Sequence, residues 1–155
     1  MKIGLGYDVH AFTQNRPLIL GGVEIPYDRG LSGHSDADVL VHAVCDALLG
    51  AAGMGDIGEH FPDTDPQYKN ANSLDLLKAA WQLIYPRYQT IVNMDATIFA
   101  QAPRLTPYKA AMRDRLAAVL GIPADRINIK ATTTEGLGFI GRGEGIAAMC
   151  AALID

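Results

Sequence analysis

Residues 39–49, VLVHAVCDALL, present apolar side chains on nearly every side of a helix: Val39, Leu40, Val41, Ala43, Val44, Ala47, Leu48 and Leu49. A helix that is hydrophobic all round has to be buried, so the rest of the chain must wrap around this segment. Ser35 or Asp36 is suited to cap its start and Gly50 to end it, which predicts a helix over about residues 36–49. Asp38, His42 and Asp46 interrupt the apolar surface at every fourth position and so form one polar stripe. Burying two carboxylates and an imidazole without partners is very costly. The stripe therefore reads as the lining of a functional site rather than a wet face.

A second polar pair lies near the N-terminus. Residues 1–12 alternate like a strand, with Ile3, Leu5 and Tyr7 on one side. In "GYDVHAF" (6–12), Asp8 and His10 are two positions apart and project to the same side of an extended chain. With His42 they make one carboxylate and two imidazoles. That set suits Zn²⁺ and leaves a fourth tetrahedral position open. Asp38 and Asp46 are then candidates to hold the His42 ring. Spacing alone does not select this trio, because His34, Asp36, Asp56 and His60 are also available as donors.

The remaining elements follow from punctuation. "PLILGGVEIP" (17–26) reads as short strand pieces broken at Gly21-Gly22. Ser73 is placed to cap a helix that carries Leu74, Leu77, Trp81 and Ile84 on one face and stops at Pro86. "IVNMDATIFA" (91–100) and "RINIKATTT" (126–134) are strand-like, and Thr106-Pro107 opens a helix that ends at Gly121. The tail "GEGIAAMCAALI" fits either a helix, from its alanines, or a closing strand, from its position. This order predicts a single-domain α/β sandwich of the α+β type, with helices on one face of a mostly antiparallel or mixed sheet.

Composition narrows the function classes. Over 155 residues the chain is 49% hydrophobic and 19% charged, ordinary for a globular domain with a real core. A net charge of −4 argues against nucleic acid or an anionic membrane surface as partner. No apolar run approaches the roughly 20 residues that span a bilayer, and the N-terminal strand pattern has no signal-peptide core. Cys45 and Cys150 form no CxxC pair and sit among apolar neighbours. They are expected to be buried free thiols, which suits the cytoplasm.

Three further segments bear on chemistry. "SGHSDAD" (32–38) places His34 and Ser35 at a helix start, a natural anion site. Residues 53–72 form a long stretch rich in Gly, Pro, Asp and Asn, whose Asp56 and Asp63 can bind hydroxyls, while Asp65 reads as a cap. "GLGFIG" (136–141) matches a dinucleotide glycine pattern, but only fourteen residues follow, too few to complete that unit. Glu135, in the turn "TTTEG", suits a hard divalent ion.

Taken together, "GYDVHAF", "HSDADVLVHAVCDALLGAAGMGDIGEHFPDTDP", "AQAPR" and "IKATTTEGLGFIGRGEG" closely resemble the 2-C-methyl-D-erythritol 2,4-cyclodiphosphate synthases of the non-mevalonate isoprenoid pathway, across essentially the whole chain. The resemblance implies a homotrimer with active sites between subunits. It implies a reaction in which a phosphate of a cytidine diphosphate substrate attacks the β-phosphorus and releases CMP. It further implies that Asp8, His10 and His42 bind Zn²⁺, and that Glu135 holds a second divalent ion, Mg²⁺ or Mn²⁺. His34 and Ser35 match a phosphate site, while Asp56, Ile57, Gly58, Phe61 and Asp63 match the loop that grips the erythritol part. Ala100, Arg104 and Leu105, with Ala131, Thr132 and Thr133, match the cytidine pocket and its phosphate contacts, Thr133 among the catalytic positions. Phe139 and Arg142 match a cavity on the threefold axis that can hold an isoprenoid diphosphate. Arg104 and Gly136 depart from the family, where lysines are frequent at both positions. Two other readings of the same ligands are a zinc-dependent phosphoesterase and a zinc-stapled trimeric binding protein without catalysis.

Overall fold

The computed structural model describes Met1–Asp155. Strand β1 (Lys2–Thr13) is followed by the short β2 (Leu18–Leu20), β3 (Val23–Ile25) and β4 (Gly30–Leu31). Helix α1 (Val39–Ala52), the one-turn helix α2 (Ile57–His60) and helix α3 (Ser73–Ile84) come next. The chain then forms β5 (Ile91–Phe99), α4 (Lys109–Leu120), β6 (Ile127–Thr132), the helical turn α5 (Gly138–Gly141) and β7 (Gly145–Ile154). Five strands make a mixed sheet in the order β4-β1-β7-β5-β6. Its pairs are antiparallel except β5 with β6. β2 and β3 form a separate hairpin. The expected mixed sheet with helices is what forms, and the ambiguous tail is its central strand. Alanines suit that strand because α1 packs directly over it, with Ile146, Ala148, Cys150 and Ala152 buried beneath.

α1 lies across β1 and β7 and is buried along its length, as its composition requires. Each fully buried leucine, such as Leu40, Leu48 and Leu49, contributes about 2 kcal/mol through burial alone. The close approach depends on β1. A Cβ at Gly4 or Gly6 would lie 2.0 Å from the carbonyl oxygen of Ala47 or Ala43, respectively. Glycine is therefore what lets the helix settle onto the strand. Because side chains alternate along a strand, Gly4, Gly6, Asp8 and His10 all face α1, and Ile3, Leu5, Tyr7 and Val9 face away. Those four remain exposed, Ile3 and Leu5 at about 70%. An apolar set that alternation alone would place in the core lies outside it.

Four helix boundaries differ from expectation, one being the start of α4, which begins at Lys109 after a 3₁₀ turn over Thr106–Tyr108. α1 begins at Val39, because Asp38, rather than Ser35 or Asp36, accepts from the Val41 amide as N-cap. It continues to Ala52 and ends on Gly53, which adopts the left-handed conformation that Gly50 does not. α3 is capped by Asn72, so Ser73 is its first helical residue and its hydroxyl is free for another use. The segment 53–72 is not structureless: α2 and a 3₁₀ turn at Pro66–Tyr68 punctuate it, and Asp65 caps that turn as expected.

Candidate active site

Where the glycines of β1 give way to Asp8 and His10, the first turn of α1 brings His42 over the strand. The His42 Nδ1 lies 2.9 Å from Asp8 Oδ2 and 3.2 Å from His10 Nε2, and the latter is 3.0 Å from the same carboxylate oxygen. Tetrahedral zinc with ligands at about 2.0–2.1 Å has ligand–ligand edges of about 3.3 Å, so this near-equilateral triangle fits such an ion. These three are the group of His, Asp, Glu or Cys side chains close enough together to share one metal. The His10 Nδ1 is 2.7 Å from the Ser32 carbonyl, which can only accept, so that nitrogen carries a proton and Nε2, facing Asp8, is the one a metal would take. Gly33 leaves room for the ring, since a Cβ there would sit 3.1 Å from His10 Cε1.

Electrostatics favour an anionic Asp8. Burial alone raises its pKa, but hydrogen bonds and charge from His10 and His42 outweigh burial and hold it well below the usual carboxylate range. Burial pulls the His10 imidazole down, and its bond to Asp8 overcomes this to raise it.

The expected roles of Asp38 and Asp46 are not what forms. Asp38 is fully buried and turns away from His42, accepting from the amides of Gly21 and Gly22 as well as Val41. It secures the β2–β3 hairpin to the start of α1. Asp46 instead accepts from the Ile57 amide and so anchors α2. The partners of His42 on its far side are hydroxyls: Ser73 Oγ at 3.0 Å and Ser35 Oγ at 3.2 Å from Nε2. Ser73 and its neighbour Asp36 escape a reading by spacing, because they meet 37 residues apart in sequence.

Most of the remaining candidates line one of two cavities that share no residue. One, of about 440 Å³, is lined by His10, His34, Ser35 and His42 on one side and by Ile57, Gly58, Phe61 and Asp63 on the other. Asp56 does not line it but caps α2 by accepting from the Glu59 amide. His34 and Ser35 stand four or more residues ahead of α1, so they contribute to the cavity wall rather than to the helix start. The other cavity, of about 260 Å³, is lined by Ala100, Arg104, Leu105, Ala131, Thr132 and Thr133, among others. Glu135 sits beside it, in the left-handed region (φ 54°), and accepts from the Thr133 hydroxyl at 3.1 Å. Phe139 and Arg142 line neither cavity; both are exposed, and Arg142 is paired with Glu144. The end of the glycine pattern 136–141 forms α5, and its last residue, Gly141, meets the backbone of Gly136 closely enough to exclude a Cβ.

Comparison with known proteins bears on the same residues. The sequence matches the profile of the YgbB family over residues 1–155. The chain belongs to the YgbB family. Two relatives in the family are 2-C-methyl-D-erythritol 2,4-cyclodiphosphate synthases, from Geotalea uraniireducens at 61% identity and from Desulfatibacillum aliphaticivorans at 58%. The first match covers the whole of this chain and 99% of the relative, the second the whole of both. Among solved structures, a 2C-methyl-D-erythritol-2,4-cyclodiphosphate synthase in a CDP-bound form superposes with TM-score 0.90 at 37% identity, over 99% of each chain. A bifunctional IspDF from Campylobacter jejuni superposes with TM-score 0.94 at 51% identity, covering 97% of this chain and 41% of that longer one.

Proposed function

We propose that this chain converts 4-diphosphocytidyl-2-C-methyl-D-erythritol 2-phosphate into 2-C-methyl-D-erythritol 2,4-cyclodiphosphate and CMP, in isoprenoid precursor biosynthesis in the cytoplasm. An oxygen of the 2-phosphate attacks the β-phosphorus, the bond from that phosphorus to the bridging oxygen breaks, and CMP leaves with that oxygen. The observation that carries this reading is the Asp8, His10 and His42 triangle opening onto the cavity lined by His34, Ser35 and Asp63. Phosphoryl transfer of this kind requires alignment and charge neutralisation more than acid–base work. No nucleophilic side chain paired with a base is needed.

A chain of net charge −4 that handles three phosphates must import positive charge. Asp8, His10 and His42 would hold Zn²⁺, and Glu135 a second divalent ion, Mg²⁺ or Mn²⁺. When bound, these cations neutralise phosphate charge and polarise the reacting phosphorus. His34, Ser35 and Thr133 orient phosphates, while Asp56, Ile57, Gly58, Phe61 and Asp63 grip the erythritol part. Ala100, Arg104, Leu105, Ala131 and Thr132 receive the cytidine and its phosphates.

The whole chain acts as one domain within a homotrimer. The continuous apolar face of Ile3, Leu5, Tyr7, Val9 and Met149 supports self-association. The separation of the two cavities supports active sites completed by a neighbouring subunit. Phe139 and Arg142 would take an isoprenoid diphosphate on the trimer axis, and Arg142→Ala should abolish that binding.

Phosphorus NMR of the protein with substrate, zinc and magnesium tests the reaction. Coupled doublets of a cyclic diphosphate together with CMP establish the synthase. CMP with a linear phosphorylated sugar makes it a phosphoesterase, and absence of turnover in a zinc-loaded protein makes it a binding protein.

A further inference from the structure

Behind His42 lies a chain of groups that is not part of the metal-ligating triangle. Ser73, fully buried at the first position of α3, places its Oγ 3.0 Å from His42 Nε2. The same hydroxyl donates to Asp36 Oδ1 in a short hydrogen bond, and Asp36 Oδ2 accepts the Ser73 amide at 3.0 Å. A hydroxyl has one proton to give. With that proton on Asp36, Ser73 Oγ can only accept from the ring it faces, so His42 Nε2 carries a proton, and Nδ1, which faces the Asp8 carboxylate, is the nitrogen a metal would take. Ser35 Oγ, 3.2 Å from the same nitrogen, accepts from the Ala37 amide and, with its own proton directed to Ser73 Oγ at 3.5 Å, has a lone pair for the ring.

We infer that Asp36 and Ser73 are positioning residues, which fix His42 in the Nε2–H tautomer and thereby present the bare Nδ1 to the metal. The opposite tautomer would put a proton where the ligand lone pair is required. A carboxylate that orients a ligating histidine through one intervening group is an established way of setting ring orientation and donor strength. Here the two ends come from different elements, since Asp36 precedes α1 and Ser73 opens α3. The docking of α3 against α1 is thus coupled to the readiness of the triangle. This inference rests on Asp8, His10 and His42 being the zinc ligands.

The test measures zinc affinity by chelator competition together with long-range ¹H–¹⁵N spectra of the histidine rings in the zinc-loaded protein. For the wild type, His42 should show a slowly exchanging Nε2–H and a metal-shifted Nδ1. Ser73→Ala and Asp36→Asn should each lower zinc affinity about 10- to 100-fold, with unchanged far-UV circular dichroism and faster exchange of that Nε2 proton. A His42 protonated on Nδ1 in the zinc-loaded wild type overturns the inference, and so do two variants that bind zinc as tightly as the wild type. If Ser73→Ala does not fold, Asp36→Asn and the wild-type spectrum decide. His42→Ala separates the two levels: zinc binding as tight as the wild type there overturns the metal reading itself.

Discussion

Gly6 lies against the backbone of Ala43 so closely that a Cβ on the strand residue would sit 2.0 Å from the helix carbonyl oxygen. The contact is with backbone, which cannot swing aside as a side chain can. Gly6→Ala must therefore push α1 off β1, and His42 with it, one turn before the triangle closes. We expect a loss of about 3 kcal/mol in unfolding free energy, at the upper end for overpacking, and weakened zinc binding even in the folded fraction. Denaturant melts and zinc titration check both. A variant as stable as the wild type would show that the helix seat is not set by this glycine.

Asp38 makes stability fall with pH. Burial pushes its carboxyl up to about 6, against the pull of the Gly22, Gly21 and Val41 amides, and the Asp36 charge adds to the rise. An acid whose folded pKa exceeds its unfolded value contributes stability that is complete below about pH 4. That contribution is lost as pH rises through about 6. Asp38→Asn removes the titration while also leaving the Gly22 amide without its acceptor. The variant should be less stable at pH 4, and its deficit should shrink by up to roughly 3 kcal/mol by pH 7. Urea melts at both pH values read this directly, and a constant deficit would place the titration elsewhere.

Both thiols should be inert in the native protein. Cys45 and Cys150 are fully buried, and burial pushes the Cys150 thiol up to about 12 and the Cys45 thiol well up too. Labelling with an aromatic disulfide reagent should proceed at the rate of unfolding and become immediate in strong denaturant. Fast labelling of either cysteine in native buffer would contradict this.

The outward face of β1 should control assembly. Leu5→Glu places a charge in the middle of the exposed apolar stripe, where it costs little in an isolated chain and a great deal if the face is buried between subunits. We expect a folded 16.6 kDa monomer in sedimentation, with zinc affinity kept and turnover lost. A trimer of normal activity would place the interface on another surface.

The Asp8, His10 and His42 triangle was legible in part: local rules made its members candidates beside His34, Asp36, Asp56 and His60, and the family resemblance singled them out. Asp8 and His10 share a strand face by alternation, and His42 stands out as polar in an otherwise apolar helix. What holds His42 was not legible in the same way. Asp38 and Asp46 share its helix stripe, yet each is claimed by a nearer set of unpaired amides, at Gly21–Gly22 and at Ile57. The true partner, Ser73, arrives through the packing of α3, which no local spacing encodes. The start of α1 was misplaced for a related reason: Ser35, Asp36 and Asp38 are all good caps, and contacts elsewhere decide which of them is used. Alternation in β1 predicted a face correctly but not its environment. Ile3 and Leu5 look like core residues, and the core side of that strand is occupied by glycine so that a helix can approach.

The two cavities that share no residue carry a consequence for mixtures of defective chains. If each reaction centre is built from the first cavity of one subunit and the second cavity of its neighbour, a chain broken at His42 and a chain broken at Thr133 are each inactive alone. Every trimer that contains both has one junction where two unbroken halves meet. Random reassembly of equal amounts should then restore about a quarter of wild-type turnover, as counting arrangements around a threefold ring requires. Two inactive proteins, unfolded and refolded together, would become one active preparation, whereas cavities that work within a single chain would leave the mixture silent.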